Sequence, residues 1–78
     1  MHYTYLLKLS NNDYYAGSTK DIKERLDNDQ TGKVQYTSKF RPVKIVWCGI
    51  FTNKKLALNF EKYLKSSSGK AFRNKHLV

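Results

Sequence analysis

The feature that most constrains this fold is a pair of short apolar segments separated by a polar turn at the start of the chain. Residues 2–9, HYTYLLKL, have the two-residue periodicity of a β-strand. One side of this strand is strongly apolar and carries Tyr3, Tyr5, Leu7 and Leu9. Residues 11–13, NND, predict a turn, and residues 14–17, YYAG, predict a second strand that returns beside the first. The two segments together predict a β-hairpin.

One helix and a third strand are predicted next. Ser18, as the N-cap residue, and Asp21 have the spacing of a capping box. They predict a helix over residues 20–28. Residues 43–51, VKIVWCGIF, are apolar on both sides and predict a central strand. The segment between them, residues 32–41, has room for another helical turn.

Two more helices are predicted in the C-terminal part of the chain. Asn53 is a suitable N-cap residue. After it, apolar residues recur at every fourth position, at Leu56, Phe60 and Leu64. That helix is expected to end near residues 66–69, SSSG, and a short last helix is expected over residues 70–76. The predicted order is β-β-α-β-α-α, which is typical of an α+β fold with a three-stranded antiparallel sheet flanked by helices.

Length and cysteine content limit the class of protein. A chain of 78 residues has a modest core, so we expect one domain over residues 1–78, without room for a large cofactor pocket. Cys48 is the only cysteine, which excludes an internal disulfide and a CxxC metal site, and we expect it to be buried in a protein of a reducing compartment. No apolar run approaches the roughly 18 residues of a membrane span, and no signal-peptide pattern is present. We therefore expect a cytoplasmic protein without a membrane segment.

Positive charge is concentrated in the second part of the chain, and the formal net charge is +9. Residues 1–29 carry four basic and five acidic side chains, whereas residues 30–78 carry eleven basic and one acidic. Such a surface binds polyanions through counterion release, so nucleic acid is the expected partner. An anionic membrane is a weaker alternative, because no long amphipathic helix with a clean apolar face is visible. Solubility alone would also explain surplus lysines.

Two tyrosines and an arginine are candidates for catalysis, although each also has a structural interpretation. Tyr5 and Tyr15 lie on neighbouring predicted strands, so both phenols can point the same way. Such cross-strand aromatic pairs are also common in protein cores. Arg25 lies near the edge of the buried face of the first helix, where a guanidinium can extend to water or hold a phosphate.

Glu61 is the one acidic residue among residues 30–78. It can form an ion pair with Lys65 one helical turn later, worth a few tenths of a kcal/mol. The alternative is a magnesium site, because Mg²⁺ binds through one or two carboxylates together with waters and substrate phosphate. The sequence leaves both interpretations open. Asn74 lies in a basic C-terminal segment, where a cap or an exposed polar residue is the ordinary role.

Several segments, taken in order along the chain, resemble the motifs of the GIY-YIG nuclease domain. They are YTY at 3–5, YAG at 15–17, DIKERL at 21–26, GKVQYTSKFRPVKIVW at 32–47 and ALNFEKYLKSSSGKAF at 57–72, followed by Asn74. The resemblance is strongest to the small stand-alone bacterial members of the family, and it covers almost the whole chain. A single tripeptide would carry little weight, whereas several elements in the family's order and spacing carry much.

The resemblance implies a phosphodiester-cleaving site with one divalent cation, Mg²⁺ or Mn²⁺. Glu61 would hold the ion, Arg25 would contact a phosphate oxygen, and a tyrosine would help to deprotonate the attacking water. The catalytic residues that it implies are Tyr5, Tyr15, Arg25, Glu61 and Asn74. Gly17 would let the backbone come close to the substrate. The basic residues expected to contact DNA are Lys33, Lys39, Arg41, Lys70 and Arg73.

The chain also departs from the family pattern. The first motif keeps only its tyrosine, and the second has Ala16 in the middle where the family has isoleucine. Asp29, four residues after Arg25, stands where the family often has His or Tyr. A carboxylate can accept a proton or contact a metal ion, but it cannot act as a neutral imidazole does.

The leading hypothesis is therefore a metal-dependent DNA endonuclease of low sequence specificity that acts on duplex or branched DNA, in repair or recombination. A partner protein could supply specificity. One alternative is a nucleic-acid-binding module that has the same fold and lacks catalysis, for DNA or for RNA stacked on exposed aromatic residues. Another is a purely structural interaction domain, which would have no affinity for nucleic acid.

Overall fold

The computed structural model describes residues 1–32 and 37–78. Its elements are β1 (His2–Lys8), β2 (Tyr14–Thr19), α1 (Ile22–Thr31), a 3₁₀ turn (Thr37–Phe40), β3 (Lys44–Phe51), α2 (Lys54–Lys65) and α3 (Ser67–His76). The predicted β-β-α-β-α-α order is confirmed, and the 3₁₀ turn falls in the segment that had room for another helical turn. Within the described part of the chain, no helix combines the length and the apolar character of a membrane span.

The three strands form one antiparallel sheet in the order β2-β1-β3. β1 is the central strand and β3 lies at an edge, so the prediction that residues 43–51 form the central strand is wrong. The strand is apolar on both sides because it contains a bulge: the register shifts at Val46, which pairs with neither Leu6 nor Leu7. Val46 and Trp47 both pack against the same core cluster. Ile45 packs against the core cluster on the other face, so the long apolar run reflects a bulge together with contacts on both faces of the sheet.

The edge position of β3 also leaves apolar side chains uncovered. Cys48 pairs with Tyr5, and Ile50 pairs with Tyr3 farther toward the end of the sheet. Cys48 and Ile50 are both exposed, so the expectation that Cys48 is buried is wrong. The physical reason is that the apolar side chains of α1 pack against the cluster farther along this face and leave the neighbourhood of Cys48 open.

Each face of the sheet packs against different helices. One core cluster consists of the buried residues Tyr5, Leu7, Leu9 and Val43, with Ile22 and Leu26 of α1 packed against them. The opposite cluster consists of Leu6, Ala16 and Leu64, with Phe60 of α2 and Leu77 packed against them. Thr4 also joins α2 to the sheet, because its buried hydroxyl donates a hydrogen bond to the carbonyl oxygen of Ala57 at 2.7 Å. The β1–β2 hairpin thus lies between α1 and the α2–α3 pair.

Side-chain caps set where the first two helices begin. The N-cap residue of α1 is Asp21, whose carboxylate accepts a hydrogen bond from the Glu24 N–H at 3.0 Å. The capping box predicted at Ser18 is therefore wrong, because Ser18 still belongs to β2 and pairs with β1. Asn53 caps α2 as predicted. α1 consequently begins at Ile22, shortly after β2 ends at Thr19.

The SSSG segment is a tight junction between two helices. Ser66 ends α2, and its hydroxyl accepts a hydrogen bond from the Gly69 N–H at 3.1 Å. As a result α3 begins at Ser67, earlier than the predicted residue 70. Gly69 lies against the backbone of α2, where an added Cβ would overlap the carbonyl oxygen of Tyr63. The close approach of the two helices thus requires glycine at this position.

We expect Gly69→Ala to lower the free energy of unfolding by about 1–3 kcal/mol, although alanine ordinarily favours a helix. The added methyl group has no space unless α3 moves away from α2. Urea unfolding followed by circular dichroism measures the change. Ser68→Ala, at the exposed neighbouring position, is the control and should stay within about 0.5 kcal/mol of wild type. A Gly69→Ala variant as stable as wild type would contradict this packing.

Candidate active site

The phenol of Tyr5 lies in the space that a side chain at Gly17 would fill. Tyr5 pairs with Gly17 across the β1–β2 ladder, and its side chain is almost fully buried, with 1% of the residue exposed. A Cβ added to Gly17 would overlap the Tyr5 hydroxyl. Glycine at this position therefore lets the Tyr5 ring cross the backbone of β2.

Tyr15 lies on the same face of the hairpin as Tyr5. It pairs with Leu7, two residues along β1 from Tyr5, so the two tyrosines form a diagonal cross-strand pair. Tyr15 is half-buried and packs against the core cluster that contains Tyr5. The ammonium nitrogen of Lys65 on α2 lies 5.5 Å from the centre of the Tyr15 ring. The hairpin thus places both phenols on one face, and Lys65 of α2 contacts the Tyr15 ring.

Arg25 and Asp29 lie one helical turn apart on α1, beside the Tyr5 ring. The guanidinium carbon of Arg25 lies 5.7 Å from the centre of that ring. Asp29 is fully buried, and its Oδ2 lies 3.8 Å from Nε of Arg25. Its other oxygen, Oδ1, accepts a hydrogen bond from the Thr37 hydroxyl at 2.7 Å. Asp29 therefore balances the charge of Arg25 and joins α1 to the 3₁₀ turn.

Three buried polar atoms of the described residues have no hydrogen-bond partner: the Tyr5 hydroxyl, Nε of Arg25 and Oδ2 of Asp29. A buried polar atom left in this state costs about 1–3 kcal/mol, so such atoms are few in folded proteins and each calls for a reason. All three belong to the same group of contacting side chains. Two are donors and one is an acceptor, which suits a polar ligand such as a phosphate or an ordered water.

Burial raises the pKa of the Tyr5 hydroxyl well above its ordinary value near 10. The positive charge of Arg25 lowers this pKa. The negative charges of Asp29, of an ionised Tyr15 and of Glu61 raise it. The phenol therefore stays protonated at neutral pH and can donate a hydrogen bond.

Glu61 lies on α2 with 20% of its side chain exposed. Its Oε2 lies 2.8 Å from the ammonium nitrogen of Lys65, so the ion pair expected from the i,i+4 spacing is formed. Because Lys65 also lies beside the Tyr15 ring, the ion pair joins Glu61 to the hairpin. The carboxylate is thus largely shielded from solvent, and Lys65 is its link to Tyr15.

A metal ion in this site would have one obvious protein ligand. Among residues 1–32 and 37–78, no three His, Cys, Asp or Glu side chains lie close enough together to hold an ion by themselves. Mg²⁺ suits such a place, since it commonly binds one or two carboxylates and keeps waters and substrate phosphate in its other positions. Mn²⁺ also accepts carboxylate and water ligands. Glu61 has the donor chemistry for either ion.

The remaining predicted site residues lie apart from this cluster. Asn74 is exposed on α3, and its Oδ1 accepts a hydrogen bond from Nε of Arg73 at 3.1 Å. Arg41 is used within the fold: its Nε donates to the carbonyl oxygen of Ser38 at 3.1 Å, and its Nη1 contacts the carbonyl oxygen of Gln30. Lys39 is exposed on the 3₁₀ turn. The predicted DNA contact at Lys33 lies outside the described residues.

Lys70 and Arg73, the two other predicted DNA contacts, lie on α3 near β2. The guanidinium carbon of Arg73 lies 4.7 Å from the centre of the Tyr14 ring. Two residues that complete the site were not identified as site residues from the sequence, namely Thr37 and Lys65. Thr37 gave no signal, because its bond to Asp29 exists only after the 3₁₀ turn packs on α1. The i,i+4 spacing of Lys65 predicted its ion pair with Glu61, but no local pattern predicted its contact with Tyr15.

The chain is similar to one family model and to several proteins of known sequence or structure. The model of the GIY-YIG catalytic domain matches residues 1–75. UPF0213 protein YazA of Bacillus subtilis (strain 168) is 34% identical over 70 residues, which cover 88% of this chain and 71% of that protein. UPF0213 protein SAG0778 of Streptococcus agalactiae serotype V is 36% identical over 70 residues, covering 88% and 80%. The solution NMR structure of UPF0213 protein BH0048 from Bacillus halodurans is similar with a TM-score of 0.60 at 28% identity, covering 95% of this chain and 82% of that one.

The protonated state of Tyr5 predicts a pH dependence of stability. Above pH 10 the phenol ionises in the unfolded chain but keeps its proton in the folded protein, so ionisation favours unfolding as pH rises. Relative to Tyr5→Phe, the wild type should lose about 1.4 kcal/mol of unfolding free energy for each pH unit above 10. Urea unfolding of both proteins at pH 9, 10 and 11 measures the difference, in which the other tyrosines cancel. Parallel pH profiles would contradict the buried, protonated phenol.

Proposed function

The chain belongs to the GIY-YIG catalytic domain family, and on this premise we propose that it is a divalent-metal-dependent endonuclease that hydrolyses phosphodiester bonds in DNA. The proposal is supported above all by the way α1, the hairpin and α2 bring the family's catalytic residue types together. The guanidinium carbon of Arg25 lies 5.7 Å from the centre of the Tyr5 ring, and Tyr15 lies on the same face of the hairpin. Lys65 links Glu61 to the Tyr15 ring.

In the proposed reaction Glu61 would hold one Mg²⁺ or Mn²⁺. When bound, such an ion neutralises charge on the scissile phosphate and on the leaving oxygen. The exposed fraction of Glu61 leaves room for the waters and phosphate that complete the coordination of such an ion. Lys65 holds the carboxylate in place through Oε2.

Arg25 and Tyr5 would contact the non-bridging oxygens of the phosphate. Nε of Arg25 and the Tyr5 hydroxyl are both donors without partners in the described structure, so a phosphate oxygen supplies the missing acceptor. Asp29 orients Arg25 through its second oxygen. This places a negative charge behind the guanidinium and directs its other donors toward the substrate.

Tyr15, in its phenolate form, would accept the proton of the attacking water and become the neutral phenol. Burial keeps Tyr5 protonated, so Tyr5 is suited to donate and not to accept. Tyr15 is half-buried, on the same face, and lies beside the Lys65 ammonium. We therefore assign proton acceptance to Tyr15 and phosphate contact to Tyr5. Asn74 has no assigned step, since its contact is with Arg73 on α3.

We infer that the enzyme has low sequence specificity and acts on duplex or branched DNA, as in repair or recombination. The net charge of +9 supports binding to the phosphate backbone without readout of bases.

One observation favours a second candidate, a nucleic-acid-binding module that lacks catalysis. Asp29 places a buried carboxylate where the family often has His or Tyr, and its pairing with Arg25 competes with phosphate for the guanidinium.

The decisive experiment compares wild type with Glu61→Gln on supercoiled plasmid and on branched duplexes, in Mg²⁺ and in Mn²⁺. Removing the metal ligand should slow nicking by about 100-fold or more, as expected for several kcal/mol of lost transition-state stabilisation. Glu24→Gln, which neutralises an exposed carboxylate of α1, is the matched control and should cut like wild type. Equal nicking by wild type and Glu61→Gln would exclude the metal site. No nicking by any protein, with salt-dependent binding retained, would favour the binding module.

A further inference from the structure

A basic groove adjoins the candidate active site on the side of β2 that faces α2 and α3. Its cavity has a volume of about 390 Å³, within the range of about 300–1,000 Å³ typical of small-molecule sites. Its charged rim consists of Lys65, Lys70 and Arg73, with Asp13 as the one acid among the described residues that line it. The floor consists of Leu6, Ala16 and Leu64. We propose that this groove binds one nucleotide of a single-stranded segment next to the scissile phosphate.

The groove is continuous with the site that the proposed function uses. Tyr15 and Lys65 line the groove, and Lys65 is also the ion-pair partner of Glu61. A strand whose phosphate reaches Glu61 therefore enters or leaves past Lys65. The next phosphate along the strand meets Lys70 and Arg73, which lie on one side of the groove, on α3. Binding by three cations follows from counterion release and needs no base-specific contact.

The chemistry of the floor favours a single strand over a duplex. Apolar side chains and the Tyr14 ring line the cavity, and such surfaces bind the flat face of an unpaired base. In a duplex those faces are stacked on each other and are not available. The guanidinium carbon of Arg73 lies 4.7 Å from the centre of the Tyr14 ring, so Tyr14 supports the guanidinium plane, on whose outer side an unpaired base can stack. The proposal thus places an unpaired nucleotide beside the cut, and it rests on the proposed function only for the position of the cut.

The test measures binding apart from cleavage. Fluorescence anisotropy with a short fluorescein-labelled dT oligonucleotide, and with a labelled blunt duplex, is recorded in EDTA, which prevents metal-dependent cleavage and leaves the ion pair of Glu61 with Lys65 intact. We expect Arg73→Gln to weaken dT binding about tenfold and to reduce the salt slope by about 0.7, the loss of one single-strand phosphate contact. Tyr14→Leu keeps an apolar lining without the ring, and it should weaken dT binding by about tenfold while leaving duplex binding unchanged.

Lys75→Gln is the matched control, an exposed base of α3 that does not line the groove, and it should bind dT like the parent protein. Circular dichroism confirms that each variant is folded, and Arg73→Lys, which keeps the charge, should restore the salt slope. The groove would be overturned if Lys75→Gln weakened dT binding as much as Arg73→Gln does. It would also be overturned if Tyr14→Leu weakened dT binding and duplex binding equally. Groove binding without any nicking by wild type would overturn only the proposed function. Nicking with dT binding unaffected by the groove variants would overturn only the groove.

Discussion

The absence of a side chain at Gly17 is the constraint on which the rest of this site depends. Because Tyr5 pairs with Gly17, its phenol crosses the backbone of β2, and its ring lies beside Arg25 of α1. A larger residue at position 17 would overlap the phenol. The register of one hairpin, set by an alternation of apolar residues and a polar turn, therefore decides whether the Tyr5 phenol can occupy this place.

Three buried polar atoms of this site lower the stability of the folded protein, and hydrogen bonds to a substrate would offset that loss. They are the Tyr5 hydroxyl, Nε of Arg25 and Oδ2 of Asp29, none of which has a hydrogen-bond partner among the described residues. Folded proteins avoid such atoms unless surrounding packing enforces them, and functional sites are where they are found. Asp29 explains how the guanidinium can be held there, since its carboxylate supplies the compensating charge and is itself anchored by Thr37. The departure from the family pattern at Asp29 thus has a structural reason in this chain.

Local pattern predicted the order of the elements, whereas tertiary packing decided what it could not. Alternation along the hairpin strands predicted that Tyr5 and Tyr15 can share a face, and the spacing of Glu61 and Lys65 predicted their ion pair. The assignment of these residues to a site came from the family resemblance and stays a prediction. The pattern predicted a central strand at β3, where the structure has an edge strand with a bulge. It also predicted a buried Cys48, whose exposure depends on how far α1 extends over the sheet. The bond between Asp29 and Thr37 joins two segments whose contact no local periodicity encodes.

The most direct measurement of the central claim is the cleavage rate of Gly17→Ala on branched DNA with Mg²⁺, at a protein concentration where circular dichroism shows the folded state. If the Tyr5 phenol occupies the space above Gly17, the added methyl group displaces the hydroxyl, and cleavage should fall by about 100-fold. Binding of single-stranded DNA in EDTA should persist, because Gly17 does not line the groove. A folded Gly17→Ala protein that cuts at the wild-type rate would contradict the account.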